Sequence, residues 1–442
     1  MKKVLVMTVG SSIEPLIFSI TQHKPDFVYF ICSEGSKNCV DGVGTVLTDK
    51  RNNRSYRSVV AELNLKADQY AIGSIVDQDD FNDCYMGARK TLNLCQSNFP
   101  EVRGYIDYTG GTKSMCAGIV AAMLDHGEFE IGIVSGEKND LIGVTPGTER
   151  IRRMDLSNIE FQRKLANMEK LFLQYDYAAA YLLANELSFL QVGSEQQDVI
   201  TYWTTSCRGF NNWDSFQYEI ALTQLNIHAK KFHKSIRVLK EIISETEQFK
   251  RVDKLGQAAE KVGFALVYDL IYNAQRRAMQ QRYDDAVSRL YRATELVGQI
   301  TLTHHSPPLS SGNLNWRALP DHLQTIYGLS VFDLSKEENL NTDEMQKGNS
   351  GTVNLGLMKT IDLLENLDIK GSGAVFREFK KKILAQIKHR NGSFLAHGSD
   401  PIQREEFNSF SKLVWDYTVA IEKQFNTKTS WSELFAQLPN QL

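Results

Sequence analysis

The first third of the chain alternates short apolar runs with stretches of helical spacing. Lys3 to Val9 is almost continuously apolar, the pattern of a strand buried on both faces. Phe27 to Cys32, Tyr70 to Ile75, Val102 to Tyr108 and Phe129 to Val134 read the same way, with a last strand over Glu149 to Met154. Between them Glu14-Pro15 opens a helix through Leu16, Ile17 and Ile20, with proline at a first-turn position. Asp80 to Asn98 is helical, with Tyr85, Ala88, Leu92 and Cys95 on one face, and Met115 to Leu124 is a short apolar helix. Strands alternating with helices predict a parallel sheet covered on both faces.

From Ser157 the alternation stops. Helical spacing runs through Phe161 to Leu173, Tyr177 to Leu190, Phe216 to Ile227, Ser235 to Ile243 and Ala258 to Leu270. The pieces Tyr177-Ala178-Ala179-Ala180 and Tyr283-Asp284-Asp285-Ala286-Val287 have the small-residue look of helical hairpins, without a regular period. A longer amphipathic helix begins near Leu290. Thr303 to Trp316 and Thr342 to Thr352 are polar loops, and His304 and His305 belong to the first of them. Leu355 to Leu367, Val375 to His389 and Glu406 to Gln424 are helices, the last with Phe407, Phe410, Leu413, Val414 and Tyr417 on one face.

A chain of 442 residues is too long for one ordinary domain. With 42% hydrophobic and 23% charged residues it has the composition of a soluble globular protein with sizeable cores. Fifty basic residues against 53 acidic ones give a net charge of −3, so any RNA binding must be local. The apolar run at the start is too short for a signal peptide or a membrane span, and no later stretch reaches membrane length. A cytoplasmic protein without a membrane partner is expected. The six cysteines form no CxxC pair and read as reduced thiols. The nine histidines do not join them at ligand spacing, so no metal site is expected.

In parallel sheets, ligands bind beyond the carboxyl ends of the strands. Two predicted strand ends carry small polar loops, Gly10-Ser11-Ser12 and Thr109-Gly110-Gly111-Thr112-Lys113. Each opens a helix whose free N–H groups and dipole attract phosphate, and Lys113 adds a positive charge. Neither GxxxxGK[ST] nor GxGxxG is present, so neither an ATPase loop nor a dinucleotide fingerprint is supported. Near the other end, in a helical context, Arg390 and His397 stand seven residues apart. That is close to two turns, about 10 Å along a strict helix, and puts both on one face. Histidine moves protons near neutral pH, and arginine holds a fixed charge matched to phosphate oxygens. The pair could cleave a phosphodiester without a metal. The basic run Lys380-Lys381-Lys382 with Lys388 is either a solvated face or a guide for RNA.

Residues 1–155 resemble a CARF domain, the Rossmann-like sensor of CRISPR-associated proteins. The resemblance rests on Val9-Gly10-Ser11-Ser12, Glu14-Pro15 and, more strongly, Asp107-Tyr108-Thr109-Gly110-Gly111-Thr112-Lys113-Ser114-Met115. It implies that a cyclic oligoadenylate binds Gly10, Ser11, Ser12 and Thr109 to Lys113 across a twofold dimer axis. Two copies of one phosphate nest suit a ring with twofold symmetry. Arg390-Asn391-x5-His397 resembles the HEPN ribonuclease pattern of Arg, a polar residue, four to five more residues, then His, at the long end of that spacing. Together the two ends look like the CARF–HEPN ribonucleases of type III CRISPR systems, of the Csm/Csx kind.

The resemblance implies an α/β Rossmann-like sensor at 1–155, an all-α connector at 156–276 and an all-α HEPN domain at 277–442. It implies a homodimer that cuts single-stranded RNA when a cyclic oligoadenylate binds, with no cofactor and no stable DNA partner. The substrate 2′-OH would attack the adjacent phosphorus and leave a 2′,3′-cyclic phosphate. His397 would act as general base or acid, Arg390 would stabilise the phosphorane, and Asn391 would orient the phosphate or His397. Slow cutting of the activator, with Ser11, Thr112 or Lys113 aligning its 2′-OH, is left open. The alternative is a non-catalytic CARF-type ligand-binding regulator, which would need a winged helix that the C-terminus does not display. A metal-dependent nuclease would need an Asp/Glu-x-Lys site on strands, where this sequence reads as helical.

Overall fold

The computed structural model describes residues 2–44, 46–49, 54–127, 129–137, 145, 147–255, 262–326, 345–347, 352–391, 399–425 and 430–442. The chain divides after Glu160 into two units. The first is built of β1 (Lys2–Thr8), α1 (Glu14–His23), β2 (Phe27–Ser33), α2 (Glu34–Asp41), β3 (Leu47–Asp49), β4 (Arg54–Tyr56) and α3 (Val59–Leu63). It continues with β5 (Tyr70–Ile75), α4 (Phe81–Asn98), β6 (Val102–Asp107), α5 (Lys113–His126), β7 (Phe129–Ser135) and β8 (Arg150–Arg153). Six strands form one sheet in the order β5-β2-β1-β6-β7-β8. All neighbours are parallel except β7 and β8.

The near-continuous apolar runs follow from this arrangement, because alternate residues of each strand serve opposite faces. Val4, Val6, Tyr29, Ile31 and Ile106 build one core with Leu92 of α4 and Ile119 of α5. Leu5, Met7, Val28 and Phe30 build the other with Leu16 and Ile20 of α1 and Val59 of α3. β2 runs straight into α2 at Ser33-Glu34. The Ser33 amide there donates to Ser36 Oγ at 3.1 Å. The small hairpin of β3 and β4 is too short and polar for any periodicity to announce it.

The second unit is helical: α6 (Ser157–Leu173, which begins just before the division), α7 (Tyr177–Leu187), α8 (Ser194–Asp214), α9 (Tyr218–Asn226), α10 (Ala229–Leu255), α11 (Ala265–Met279) and α12 (Tyr283–Thr303). Short strands β9 (Leu314–Asn315), β10 (Met345–Lys347) and β11 (Thr352–Leu355) form a three-stranded sheet in the order β10-β11-β9. Then come α13 (Leu357–Leu367), α14 (Gly373–Asn391), α15 (Arg404–Gln424) and the single turn α16 (Trp431–Leu434). One continuous core runs from Phe161 to Leu438.

Three helix pairs in this unit share one turn. Tyr175, Phe216 and Gln281 each have positive φ, at 58°, 63° and 60°. The residue after each closes a bond back to the preceding helix: Asp176 N to Leu171 O, Gln217 N to Asn212 O, and Arg282 N to Arg277 O, at 2.8–3.0 Å. A tyrosine then starts the next helix: Tyr177, Tyr218 or Tyr283. This left-handed stop satisfies carbonyls at the helix end and turns the chain back on itself. The two hairpin-like pieces seen in the sequence are the first and third of these starts. α8 escaped the sequence reading because polar Thr204-Thr205-Ser206 interrupts its apolar stripe. Its buried side is Ile200, Trp203, Cys207, Phe210 and Trp213.

Candidate functional site

β1 and β6 are neighbours at the point where the strand order turns outward in both directions. This is the switch point at which parallel sheets open a crevice. The loops after these two strands touch backbone to backbone. A Cβ added to Gly10 would lie 2.6 Å from Gly111 N, and one on Gly110 would lie 2.7 Å from Thr8 O. Gly111 also has φ +94°, a conformation that side chains disfavour. Thr8 Oγ1 donates to Gly110 O at 2.5 Å. The glycines are therefore required by the close approach of the two loops.

Asp107, buried at the end of β6, shapes the second loop. Its Oδ1 accepts from Thr109 N at 2.9 Å and from the Thr109 hydroxyl. Thr109 Oγ1 in turn accepts from Val134 N at 2.6 Å. Cys116 Sγ donates to Tyr108 O and Gly110 O at 3.2 and 3.3 Å, and burial pushes its thiol pKa up. Thr112 caps α5, accepting from Met115 N at 3.3 Å, and its hydroxyl donates to Gln78 O at 2.5 Å. Ser114 Oγ donates to Asp79 O at 2.9 Å. Gln78 is itself held by Ser33, whose hydroxyl donates to Gln78 Oε1 at 2.5 Å.

Four strand ends thus meet at one edge of the sheet. Gly10, Ser12, Thr109, Gly110, Gly111 and Thr112 are half-buried along the crevice, while Ser11 and Lys113 are exposed at its rim. The structure brings together all eight loop residues singled out in the sequence. It adds Asp107, Ser33 and Gln78, which brace the crevice. Asp107 and Ser33 carried a signal, each being the first polar residue after an apolar strand. Gln78 carried none, because its role depends on contacts far away in sequence.

In the second unit, α14 presents Phe376, Phe379, Ile383 and Ile387 to the core. Its basic stripe is partly paired: Arg377 Nε meets Glu365 Oε1 at 2.9 Å, Lys380 Nζ meets Asp362 Oδ1 at 2.6 Å, and Lys382 Nζ meets Glu378 Oε1 at 3.1 Å. Two lysines of the run are thereby occupied by ion pairs. Arg390 and Asn391 lie in the last turn of α14. Their side chains, and His397 altogether, lie outside the described residues. Beyond them Ile402 and Phe407 are buried on either side of the Gln403/Glu406 capping box that opens α15.

His304 is drawn into the structure: its Nε2 donates to Val262 O at 2.8 Å, its ring lies 4.7 Å from that of Phe425, and burial lowers its pKa. His305 is half-buried and its Nδ1 donates to Pro307 O at 2.9 Å. Among the described residues no three His, Cys, Asp or Glu side chains gather as metal ligands. Among them, too, no helix is long and apolar enough to cross a membrane.

Comparison with known proteins gives these two regions a context. Residues 256–421 match the family described as the Csm6 HEPN domain. The whole chain superposes on Enterococcus italicus Csm6 bound to cyclic hexa-2′-fluoro-hexa-dAMP, with TM-score 0.53 and 13% identity, over 98% of this chain and 97% of that one. The chain shares the fold of that protein, an α/β unit followed by a helical one that contains the span matched to the HEPN domain. The crevice belongs to the α/β unit, and Arg390-Asn391-x5-His397 falls inside the span matched to the HEPN domain. Can2 from Sulfobacillus thermosulfidooxidans in complex with cyclic tetra-adenylate is also similar, at 13% identity over 49% of this chain and 66% of that one. Its TM-score is 0.23. No curated protein matches the chain.

Proposed function

We propose that this protein is a single-strand RNA endonuclease of type III CRISPR antiviral defence, switched on by a cyclic oligoadenylate. The observation that carries the reading is that Arg390-Asn391-x5-His397 falls inside the span matched to an HEPN domain, with Arg390 and Asn391 in the last turn of a helix. The first unit supports it with two glycine loops that meet beside a helix N-terminus, an arrangement that suits the phosphates of a cyclic nucleotide. The structural relative bound to a cyclic hexanucleotide analogue points to the same ligand class.

The chemistry follows from the residue types. The ribose 2′-OH attacks the neighbouring phosphorus, the 5′-oxygen leaves, and a 2′,3′-cyclic phosphate remains. His397 takes or gives the proton. Arg390 stabilises the charge of the phosphorane, and Asn391 orients the phosphate or His397. One histidine does not easily serve both the attacking and the leaving oxygen, so two subunits contribute to one composite site in a homodimer. This set requires no metal. In the CARF domain Gly10, Ser11, Ser12, Thr109, Gly110, Gly111, Thr112 and Lys113 hold the activator, and Ser11, Thr112 or Lys113 could also align it for slow cleavage.

The test is cutting of a labelled RNA, with the activator present, in excess EDTA. The products should carry 2′,3′-cyclic phosphate ends, and a single 2′-deoxy substitution should abolish cutting at that position. Cutting that disappears in EDTA and returns with Mg²⁺ would refute the metal-independent mechanism. Activator binding without any RNA cutting would leave a ligand-binding regulator instead.

A further inference from the structure

The loop after β5 flanks the crevice and is fixed through its own backbone. Thr112, the cap of α5, and Ser114 in its first turn donate to Gln78 O and Asp79 O at 2.5 and 2.9 Å. Asp79 N donates to Asp77 Oδ1 at 2.9 Å, and Asp80 Oδ1 accepts from Asp83 N at 2.8 Å at the start of α4. The loop leaves Asp77, Asp79 and Asp80 exposed. A negative stretch therefore stands directly beside the helix end and Lys113, which attract phosphate.

Between these acids lies the neutral amide of Gln78, and it is held in one orientation. Ser33, only 5% exposed, stands behind it at the end of β2. Ser36 Oγ accepts the Ser33 N–H at 3.1 Å and gives its own proton to Ser33 O at 3.3 Å. Ser33 Oγ lies 2.5 Å from Gln78 Oε1 and 3.3 Å from Ser36 Oγ, so its proton goes to the glutamine. That fixes the amide oxygen toward Ser33 and leaves it a second lone pair. Gln78 Nε2 bonds to no described residue, and half-buried Gln78 leaves it open to solvent.

We propose that Gln78, oriented by Ser33, reads the base edge of the activator and selects adenine. The proposal deepens the ligand reading above and rests on it. Phosphate is drawn to α5 and Lys113 and repelled by the three aspartates, so the part of a nucleotide that meets this loop is its base. An amide oxygen beside an amide N–H matches adenine, which shows an amino donor next to a ring-nitrogen acceptor. Guanine and hypoxanthine carry a carbonyl where adenine has the amino group. A free glutamine turns its amide over to meet that carbonyl; here the turn breaks the Ser33 bond.

The experiment is titration calorimetry on the full-length protein with cyclic tri-, tetra- and hexa-adenylate, then with the ring that binds remade with hypoxanthine in place of adenine. The wild type should bind the hypoxanthine ring about 5- to 150-fold more weakly per base read, the scale of one bidentate pair. Gln78→Ala should weaken the adenylate ring and leave the hypoxanthine ring almost as in the wild type, so that the preference disappears. Ser33→Ala frees the amide to turn and should narrow the preference by improving the hypoxanthine ring. If the wild type binds both rings alike, or if Gln78→Ala weakens both by the same factor, Gln78 does not read the base; the inference is then wrong and the ligand reading stands. If Ser33→Ala keeps the whole preference, Ser33 does not orient the amide and the inference fails in that part. If no adenylate ring binds the wild type, the ligand reading falls and the inference with it.

Discussion

Single atoms decide the shape of the crevice. A methyl group on Gly10 would press to 2.6 Å from the Gly111 amide nitrogen, and no flexible side chain is there to yield. Gly10→Ala should therefore push the two loops apart while leaving the sheet beneath them intact. Titration calorimetry should show the activator bound far more weakly, with far-ultraviolet circular dichroism unchanged. Wild-type affinity in Gly10→Ala would mean that the loops do not touch as described.

Glu245 makes a different point, about pH. Its Oε2 accepts from Ala265 N at 2.8 Å at the start of α11, and Gly263 leaves room for the carboxylate. Burial pushes its pKa up from 4.5 to about 8. The folded state therefore holds this proton more tightly than the unfolded chain. That contribution is complete below pH 4.5 and is lost as pH rises to about 8. Glu245→Gln keeps an acceptor for Ala265 but cannot ionise. Relative to wild type it should gain stability steadily across that window and hold the gain above it. Urea midpoints of the two proteins measured from pH 5 to 9 check this; a constant difference would show that Glu245 does not titrate there.

At the scale of elements, the N-terminus of α5 is the piece that joins sequence to site. Thr112 caps the helix and also bonds Gln78 O, so one hydroxyl sets both the helix start and the brace from the β5 side. Thr112→Ala should cost about 1 kcal/mol through the lost cap alone. Thr112→Ser should retain both bonds. A thermal melt of the two variants distinguishes them, and equal melting points would deny Thr112 its double role.

The same elements show what a sequence can and cannot reveal. β1, β2, β6 and β7 were legible because burial on both faces forces unbroken apolar runs, and the two loops because glycine and small polar residues follow those runs at once. The hairpin of β3 and β4 and the helix α8 were not, since polar residues break their pattern. The sequence also offered Arg390 and His397 by spacing alone. It gave no hint of Ser33 and Gln78 beside the crevice, because that pairing is made only when distant parts of the chain fold together.

For the whole molecule, the proposed function joins a ligand crevice in one unit to a cutting motif in the other. Binding at the first can raise the rate at the second only if the activator favours one arrangement of the protein over another. Neither end can then be silent. Lys113, exposed at the crevice rim, should contribute a charge-assisted contact of about 1.5–3 kcal/mol to activator phosphate or ribose. Its loss corresponds to about a 10- to 100-fold change in affinity per site.

The most direct measurement is the initial rate of RNA cutting against activator concentration, for wild type, Lys113→Ala and His397→Ala together, with cyclic tri-, tetra- and hexa-adenylate each supplied in turn. One ring should activate the wild type. With that ring Lys113→Ala should need about 10- to 100-fold more activator per site yet reach the same plateau, and His397→Ala should bind activator normally and cut nothing. An unchanged Lys113→Ala curve, or a His397→Ala protein that cuts like the wild type, would contradict the account.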